Sequence, residues 1–228
     1  MSNIKIPAWS FSSIKTFDQC PKKFYHLKVA KDFQEDQNAD HLIYGTRFHE
    51  AAEFYIRDDK PLPHEFHYAK ASLDRLKAFP GEKLCEYEMG ITKDLQPCSF
   101  NERSRWVRGI ADLLIVDGDQ AYIVDYKTGK SAKYADTKQL ALLAAAVFLE
   151  FPYVKTIKAM LLFVVSNEIV KEDYTYEKGL EIFDTLAPVL AQRSVAYETG
   201  VFNPIPNGLC KKWCSATKCI HNGNYKGD

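Results

Sequence analysis

Runs of apolar residues separated by polar turns divide the chain into predicted strands and helices. Two of these runs, 110–116 and 121–124, flank the turn sequence DGD at 117–119, so this stretch predicts a β-hairpin. A nearly continuous apolar run predicts a buried strand, and alternation predicts a strand with one solvent face. The other predicted strands cover residues 83–91, 156–165 and 171–176.

Apolar residues at helical spacing predict helices on both sides of these strands. The first helix follows Ser10, whose hydroxyl suits an N-cap, and the last ends before Gly200, which suits a C-cap. The polar, acidic stretch 32–41 predicts a loop. The order helix, strand, strand, strand, helix, strand predicts an α/β core. The predicted helices cover about residues 11–17, 22–30, 42–57, 65–78, 138–151 and 177–199.

Composition narrows the class of protein. The chain has 228 residues, of which 46% are hydrophobic and 26% charged, as expected for a soluble globular protein of one domain or one domain with a small appendage. No apolar run approaches the roughly 18 residues of a membrane span, and the N-terminus lacks the apolar core of a secretory signal. We therefore expect an intracellular, cytoplasmic protein with no membrane partner.

Positive charge is concentrated at both ends of the chain, although the formal net charge is zero. Residues 1–31 hold six lysines against one aspartate, a net +5, and residues 210–228 hold four lysines against one aspartate, a net +3. Brought together by the fold, the two ends would form one patch for phosphates; otherwise they are two separate solvated faces.

Three charged residues interrupt the apolar hairpin. Asp112 lies within an aliphatic run, and Asp125 and Lys127 share one face of the next strand because they are two residues apart. Burial of an unpaired carboxylate is costly, so such residues usually have a cationic partner, a metal or a catalytic task. Two convergent carboxylates and a lysine suit metal-assisted hydrolysis of a phosphodiester. The alternative is an exposed edge strand whose charges face solvent.

The hairpin sequence resembles the active-site core of the PD-(D/E)xK nucleases, and in particular the RecB-like exonuclease branch. The signature of that branch is G-x-x-D followed by D-x-K-T-G, and it is matched by GIAD at 109–112 and DYKTG at 125–129. The resemblance implies a restriction-endonuclease-like α/β core, with a central mixed sheet flanked by helices. It also implies a divalent-metal-dependent deoxyribonuclease, an exonuclease, with DNA as its partner.

The resemblance covers most of the chain, from Ser10 to Cys219. We therefore expect a single RecB-like nuclease domain over residues 1–228. Its predicted parts are an N-terminal helical part, 1–80, a catalytic core, 83–176, and a C-terminal helix with a cysteine tail, 177–228.

The resemblance also assigns the metal site. Gly45 and His49 fit a G-x-x-x-H element whose histidine is similar to a ligand of the active-site metal, whereas a lone helical histidine is more often structural or exposed. Lys127 would position the attacking water, with Asp112 and Asp125 as its catalytic partners. The implied ligands of Mg²⁺ or Mn²⁺ are His49, Asp112, Asp125 and the backbone carbonyl of Tyr126.

Two further positions are candidates for substrate binding. Gln139 matches the glutamine of a Q-x-x-x-Y element that lies beside the substrate, but Leu143 stands where the tyrosine would be. Arg108, the last arginine before the hairpin, is a candidate for phosphate contact. Alternation places Glu86 and Glu88 on one face of the first strand; we favour Glu88 as an acidic group near the metal, with a solvent-facing pair as the alternative.

Six cysteines include a cluster with the spacing C-x3-C-x4-C near the C-terminus. An intracellular chain of this size has little use for disulfides, so metal binding is the more plausible use. Cys20 is a candidate fourth ligand from the other basic end, and His221 could instead complete a local zinc site. The clustered residues are Cys210, Cys214 and Cys219.

Several RecB-like nucleases, including the AddB nuclease domain and the CRISPR-associated RecB-like nucleases, bind a [4Fe-4S] cluster. They use one cysteine before the core and three near its end, usually spaced C-x2-C-x5-C. The present spacing covers the same length but moves the middle cysteine. The resemblance therefore implies a [4Fe-4S] cluster that joins the N- and C-terminal segments, with Zn²⁺ as the alternative. Its ligands would be Cys20, Cys210, Cys214 and Cys219.

A rival interpretation is a catalytically inactive, metal-stabilised DNA-binding module that serves recombination or replication. A degenerate nuclease would be expected to lose some of its catalytic residues. The intact set of histidine, two aspartates and lysine therefore favours an active nuclease.

Overall fold

The computed structural model describes residues 6–33, 40–133 and 135–227. The chain forms two compact units. The central unit is Asn38–Phe183, and the terminal unit combines the two ends of the chain, Met1–Gln37 and Asp184–Asp228. The single nuclease domain over residues 1–228 stays a prediction, whereas both basic ends do belong to one compact unit.

Helices form where the apolar periodicity predicted them. Ser10 caps the first helix in a capping box with Ser13, whose backbone N donates to the Ser10 hydroxyl at 3.4 Å. The predicted loop at 32–41 lies partly outside the described residues, and its last two residues already belong to α3. The α-helices are α1 (Phe11–Gln19), α2 (Pro21–Phe24), α3 (Asp40–Arg57), α4 (Lys70–Ala78), α5 (Lys138–Glu150) and α6 (Tyr176–Thr199). A π-helical turn, Tyr25–Val29, continues α2, and a 3₁₀ helix, His64–Ala69, precedes α4.

The strands form one six-stranded mixed sheet in the order β2-β1-β3-β4-β5-β6. Strands β4 and β5 are parallel, and the other neighbours are antiparallel. The α/β prediction of a central mixed sheet flanked by helices is confirmed. The strands are β1 (Glu82–Thr92), β2 (Pro97–Cys98), β3 (Arg105–Asp117), β4 (Gln120–Lys127), β5 (Thr156–Phe163) and β6 (Glu168–Thr175).

The helices cover both faces of the sheet. On one face, α3, the 3₁₀ helix and α4 bury an apolar core that includes Phe48, Leu113 and Tyr126. On the other face lies α5, in which Leu143 packs so closely on Gly109 that a Cβ there would lie 3.0 Å from Leu143 Cδ2. Within residues 6–33, 40–133 and 135–227, none of the helices combines the length and apolar character needed to span a membrane.

The terminal unit has a core of its own. The rings of Phe17 and Phe24 meet edge to face at 5.4 Å, and Phe202 and Tyr197 meet in the same way at 5.5 Å. Asp32 joins the two ends of the chain, because it pairs with His26 at 3.0 Å and with Lys218 at 3.3 Å. The N-terminal helices are thereby held against the cysteine tail.

Candidate metal and catalytic site

The candidate site lies where two neighbouring strands separate. The β3–β4 ladder ends at the pair Leu113 and Val124, after which β4 follows β5 and β3 follows β1. Beyond this pair, Asp112 Oδ2 accepts a hydrogen bond of 2.7 Å from the backbone N of Tyr126. The carboxylate of Asp112 therefore occupies the gap that the separating strands leave.

A break in the β1–β3 ladder brings a second carboxylate to this gap. Glu86 has a φ of 47°, which residues other than glycine rarely adopt, and the ladder skips Glu86 and Asp112. Cys85 packs on the α3 side of the sheet, whereas Tyr87 contacts Glu150 at the end of α5. Cys85 and Tyr87 are two residues apart and yet point to opposite faces of the sheet, whereas simple alternation would place them on the same face. The alternation is therefore broken at Glu86.

Helix α3 supplies the third group. His49 Nδ1 lies 3.4 Å from Asp112 Oδ2 and 3.9 Å from Glu86 Oε1. One ligand atom from each of these residues lies within 4.8 Å of the others. Gly45, one turn before His49, lies beside Thr128, and a Cβ there would make an ordinary contact of 3.5 Å with Thr128 Oγ1. An imidazole and two carboxylates in this arrangement can bind a divalent cation.

A second cluster lies on the α5 side of β4. Asp125 is 2% exposed, and its Oδ2 lies 2.5 Å from Lys127 Nζ. Gln139, in the first turn of α5, donates from Nε2 to Asp125 Oδ1 at 2.6 Å and accepts from Lys127 Nζ at 3.2 Å. The predicted pairing of Asp125 and Lys127 on one strand face is therefore present. The amide of Gln139 joins the two.

The site carries surplus negative charge. Burial and the charge of Asp112 raise the pKa of Glu86 to about 7 and that of Asp125 to about 6. Burial disfavours protonated His49, but the neighbouring carboxylates, Asp112 first, outweigh burial and raise the pKa of His49 above its usual range. Asp125 Oδ2 is paired with the ammonium group of Lys127. A bound divalent cation would offset the remaining negative charge of the crowded carboxylates, so the donor set fits such an ion.

Comparison with known proteins agrees with this geometry. The family model of the PD-(D/E)XK nuclease superfamily matches residues 8–219. The chain belongs to the PD-(D/E)XK nuclease superfamily. Nucleases of this superfamily use divalent metals and act on DNA, and the central unit of this chain contains a His–Glu–Asp group suited to such a metal.

Several solved structures match this superfamily member, and one of them serves as an example of its fold. This structure is described as "Crystal structure of SSO0001". Its TM-score to this chain is 0.50, and the match covers 97% of this chain and 90% of the other chain. At 14% sequence identity the likeness shows the fold alone. No curated protein gives a significant match to the chain.

One sequence expectation for this PD-(D/E)XK protein needs correction, and the phosphate contact of Arg108 stays a prediction. The preference for Glu88 is wrong in geometry: Glu86 joins His49 and Asp112, while Glu88 lines a separate cavity of about 450 Å³ with Glu150. The cause is the positive φ of Glu86, which turns the two glutamates to different surroundings. Arg108 places its guanidinium 5.0 Å from the centre of the Phe100 ring. Within the described residues, no contact joins Arg108 to the carboxylates of the site.

Both the side chain and the backbone of Tyr126 are held by contacts with neighbouring residues. Its ring is 3% exposed and packs 5.7 Å from Phe48 and 5.9 Å from His49, while its backbone N donates to Asp112. The carbonyl of Tyr126, which lies between Asp125 and Lys127 in the sequence, is thereby held in place. A role for that carbonyl as a metal ligand stays a prediction.

The four cysteines predicted to bind a cluster all belong to the terminal unit of the superfamily member. Cys20, between α1 and α2, accepts N–H bonds at Sγ from Lys23 at 3.5 Å and from Ile205 at 3.4 Å. Cys210 Sγ accepts from the backbone N of Asn207 at 3.3 Å. All of the cysteines are free thiols. Among the described residues, no three cysteines have sulfurs within 4.8 Å of one another.

Proposed function

We propose that this superfamily member is a divalent-metal-dependent deoxyribonuclease of the RecB-like type, and that it acts as an exonuclease. The observation that supports this most strongly is the convergence of His49, Glu86 and Asp112 at the separation of β3 and β4. A buried carboxylate paired with a lysine stands on the next strand. This combination suits hydrolysis of a phosphodiester bond.

The proposed metal is Mg²⁺ or Mn²⁺, because carboxylate oxygens with one imidazole suit these ions. The proposed ligands are His49, Asp112, Asp125 and the Tyr126 carbonyl, as the sequence predicted, with Glu86 added by its position. When bound, the cation would polarise the phosphoryl group and lower the pKa of a bound water. The surplus of negative charge at the site supports this assignment.

Lys127 has the central task among the side chains. Its ammonium group is held between the Asp125 carboxylate and the Gln139 amide oxygen, so it enters the reaction already oriented. There it would position the attacking water and offset negative charge that develops on the phosphate. Asp125 would keep Lys127 in place.

Two further residues would act on the substrate side. Arg108 is proposed as a phosphate contact, and its position over the Phe100 ring leaves its charge intact. Gln139 is proposed to lie beside the DNA. Its hydrogen bonds to both Asp125 and Lys127 support a second task, the positioning of Lys127.

We also propose a [4Fe-4S] cluster on Cys20, Cys210, Cys214 and Cys219 rather than zinc. Backbone N–H groups already point at two of the sulfurs, which favours thiolates. The set matches the RecB-like arrangement of one cysteine before the core and three near its end, and four thiolates are the usual ligands of such a cluster.

The experiment is a digest of end-labelled linear DNA and covalently closed circular DNA with Mg²⁺ or Mn²⁺. Lys127→Ala should lower cleavage about 100-fold or more, whereas Lys155→Ala, at an exposed position of the same unit, should not. An exonuclease degrades the linear DNA and spares the circle. DNA binding without cleavage by the wild-type chain would reject the nuclease and favour the inactive binding module.

A further inference from the structure

The terminal unit displays a tryptophan that contributes nothing to its core. Trp213 is 78% exposed, and two aliphatic side chains of the same tail, Leu209 at 62% and Ile220 at 69%, are also exposed. Trp9, by contrast, is fully buried. Exposure of an indole forfeits a large apolar burial, so such a residue indicates an interaction surface.

The loop that carries Trp213 is held in one conformation. The Trp213 backbone N donates to Leu209 O at 2.9 Å, and Gly223 N donates to Cys210 O at 3.2 Å. Asn222, 6% exposed, donates from Nδ2 to Cys214 O at 2.8 Å. A Cβ at Gly223 would lie 2.2 Å from the Lys211 carbonyl oxygen, so only glycine permits this contact. An indole on such a braced loop loses little freedom when it binds a ligand.

The surroundings of the indole are positively charged. Residues 199–227 contain four lysines and no aspartate or glutamate. Lys211 and Lys212 precede Trp213 directly and are exposed, and neither pairs with a carboxylate among the described residues. Lys218 is partly offset by Asp32 at 3.3 Å. An exposed aromatic ring beside unpaired lysines is the arrangement that binds single-stranded nucleic acid, in which rings stack on bases and cations attract phosphates.

We propose that Trp213, with Lys211 and Lys212, is a stacking platform for an unpaired base of a DNA strand. The proposal rests on the proposed function for its choice of DNA, and it adds a binding site for single-stranded DNA. In a duplex both faces of an interior base are already stacked, so the ring requires an unpaired base. A protein partner with an apolar surface is the less favoured occupant, because its approach would desolvate two adjacent unpaired lysines.

The test is binding of a fluorescent oligo-dT by the 228-residue chain in EDTA, where no cleavage occurs. Trp213→Ala should raise Kd about tenfold, the equivalent of losing one stacked base, and Trp213→Phe should retain most of the affinity because it keeps a ring. Tyr153→Ala, at an aromatic position 56% exposed in the central unit, is the matched control. Bound oligo-dT should also quench tryptophan fluorescence in the wild type and not in Trp213→Phe.

An abasic oligonucleotide of the same length separates stacking from charge. Wild type and Trp213→Ala should bind it equally, because only the phosphates remain. Unchanged affinity of Trp213→Ala for oligo-dT overturns the proposal, and so does an equal loss on the abasic strand. A loss in Trp213→Phe as large as in Trp213→Ala, at an unchanged melting temperature, also overturns it. None of these results depends on cleavage, so failure of the nuclease assignment would appear separately, as intact binding without a digest.

Discussion

Glu86 faces Asp112 at the one position that the β1–β3 ladder skips between Glu82 and Ile91 in the described chain. At this break both carboxylates lie near His49, whose Nδ1 is 3.4 Å from Asp112 Oδ2 and 3.9 Å from Glu86 Oε1. A positive φ at a non-glycine residue costs about 1–3 kcal/mol. This free-energy cost at Glu86 indicates a functional rather than a stabilising role.

Substitution Glu86→Gln should weaken binding of Mn²⁺ about 10- to 100-fold, the range for loss of a group beside a metal. The amide keeps the shape of the side chain but removes one of the converging charges. Calorimetric titration with Mn²⁺ measures the effect. Glu88→Gln, two residues along the same strand and outside the group, is the control. Equal losses in the two variants would contradict the role of Glu86.

Without metal, the chain should lose stability as the pH rises from about 4.5 to about 7. The folded pKa of Glu86 is raised from 4.5 to about 7 and that of Asp125 is raised to about 6. A group whose pKa is higher in the folded than in the unfolded state stabilises the folded state fully at a pH below its unfolded pKa. This contribution to stability is lost as the pH rises through the pKa of the folded state. Melting temperatures in EDTA should therefore fall across this window.

Mn²⁺ should reverse that trend, because it binds the deprotonated carboxylates. The melting temperature gained from a fixed Mn²⁺ concentration should grow between pH 4.5 and 7. In EDTA, the melting temperature of Glu86→Gln should fall less steeply with rising pH than that of the wild type. If the melting temperature gained from Mn²⁺ is the same at every pH from 4.5 to 7, the carboxylates with raised pKa values do not bind the cation.

Substitution Gln139→Ala should lower kcat about 10- to 100-fold, the scale expected when a catalytic group is slightly misplaced. Gln139 is the amide that bridges Asp125 and Lys127, so its loss frees the ammonium group. A role in holding Lys127 acts on kcat, whereas a role only in DNA contact acts on KM. Lys138→Ala, the exposed neighbour in α5, is the control. A change confined to KM would reject the positioning role.

The sequence predicted the parts of the site that depend on local pattern. The hairpin follows from the turn around Gly118, whose φ of 61° suits glycine, and Asp125 and Lys127 share a face because β4 is regular between them. Glu86 was missed because the period-2 rule assumes an unbroken strand, and its break depends on pairing with β3. The partners of Gln139 were missed because they come from tertiary packing of α5, which no local pattern contains.

Substitution Cys214→Ser should remove the bound iron and lower the melting temperature. Loss of one thiolate opens the proposed cluster, which holds the tail against the N-terminal helices in the terminal unit. Absorbance near about 400 nm, expected for thiolate-bound iron, and iron content of anaerobic preparations are the measurements. Cys85→Ser is the control, because Cys85 packs against the central apolar core and has a pKa raised to about 11 by burial. Wild-type chain that carries zinc and no iron would reject the cluster, and unchanged melting of Cys214→Ser would reject a structural role for the cysteines.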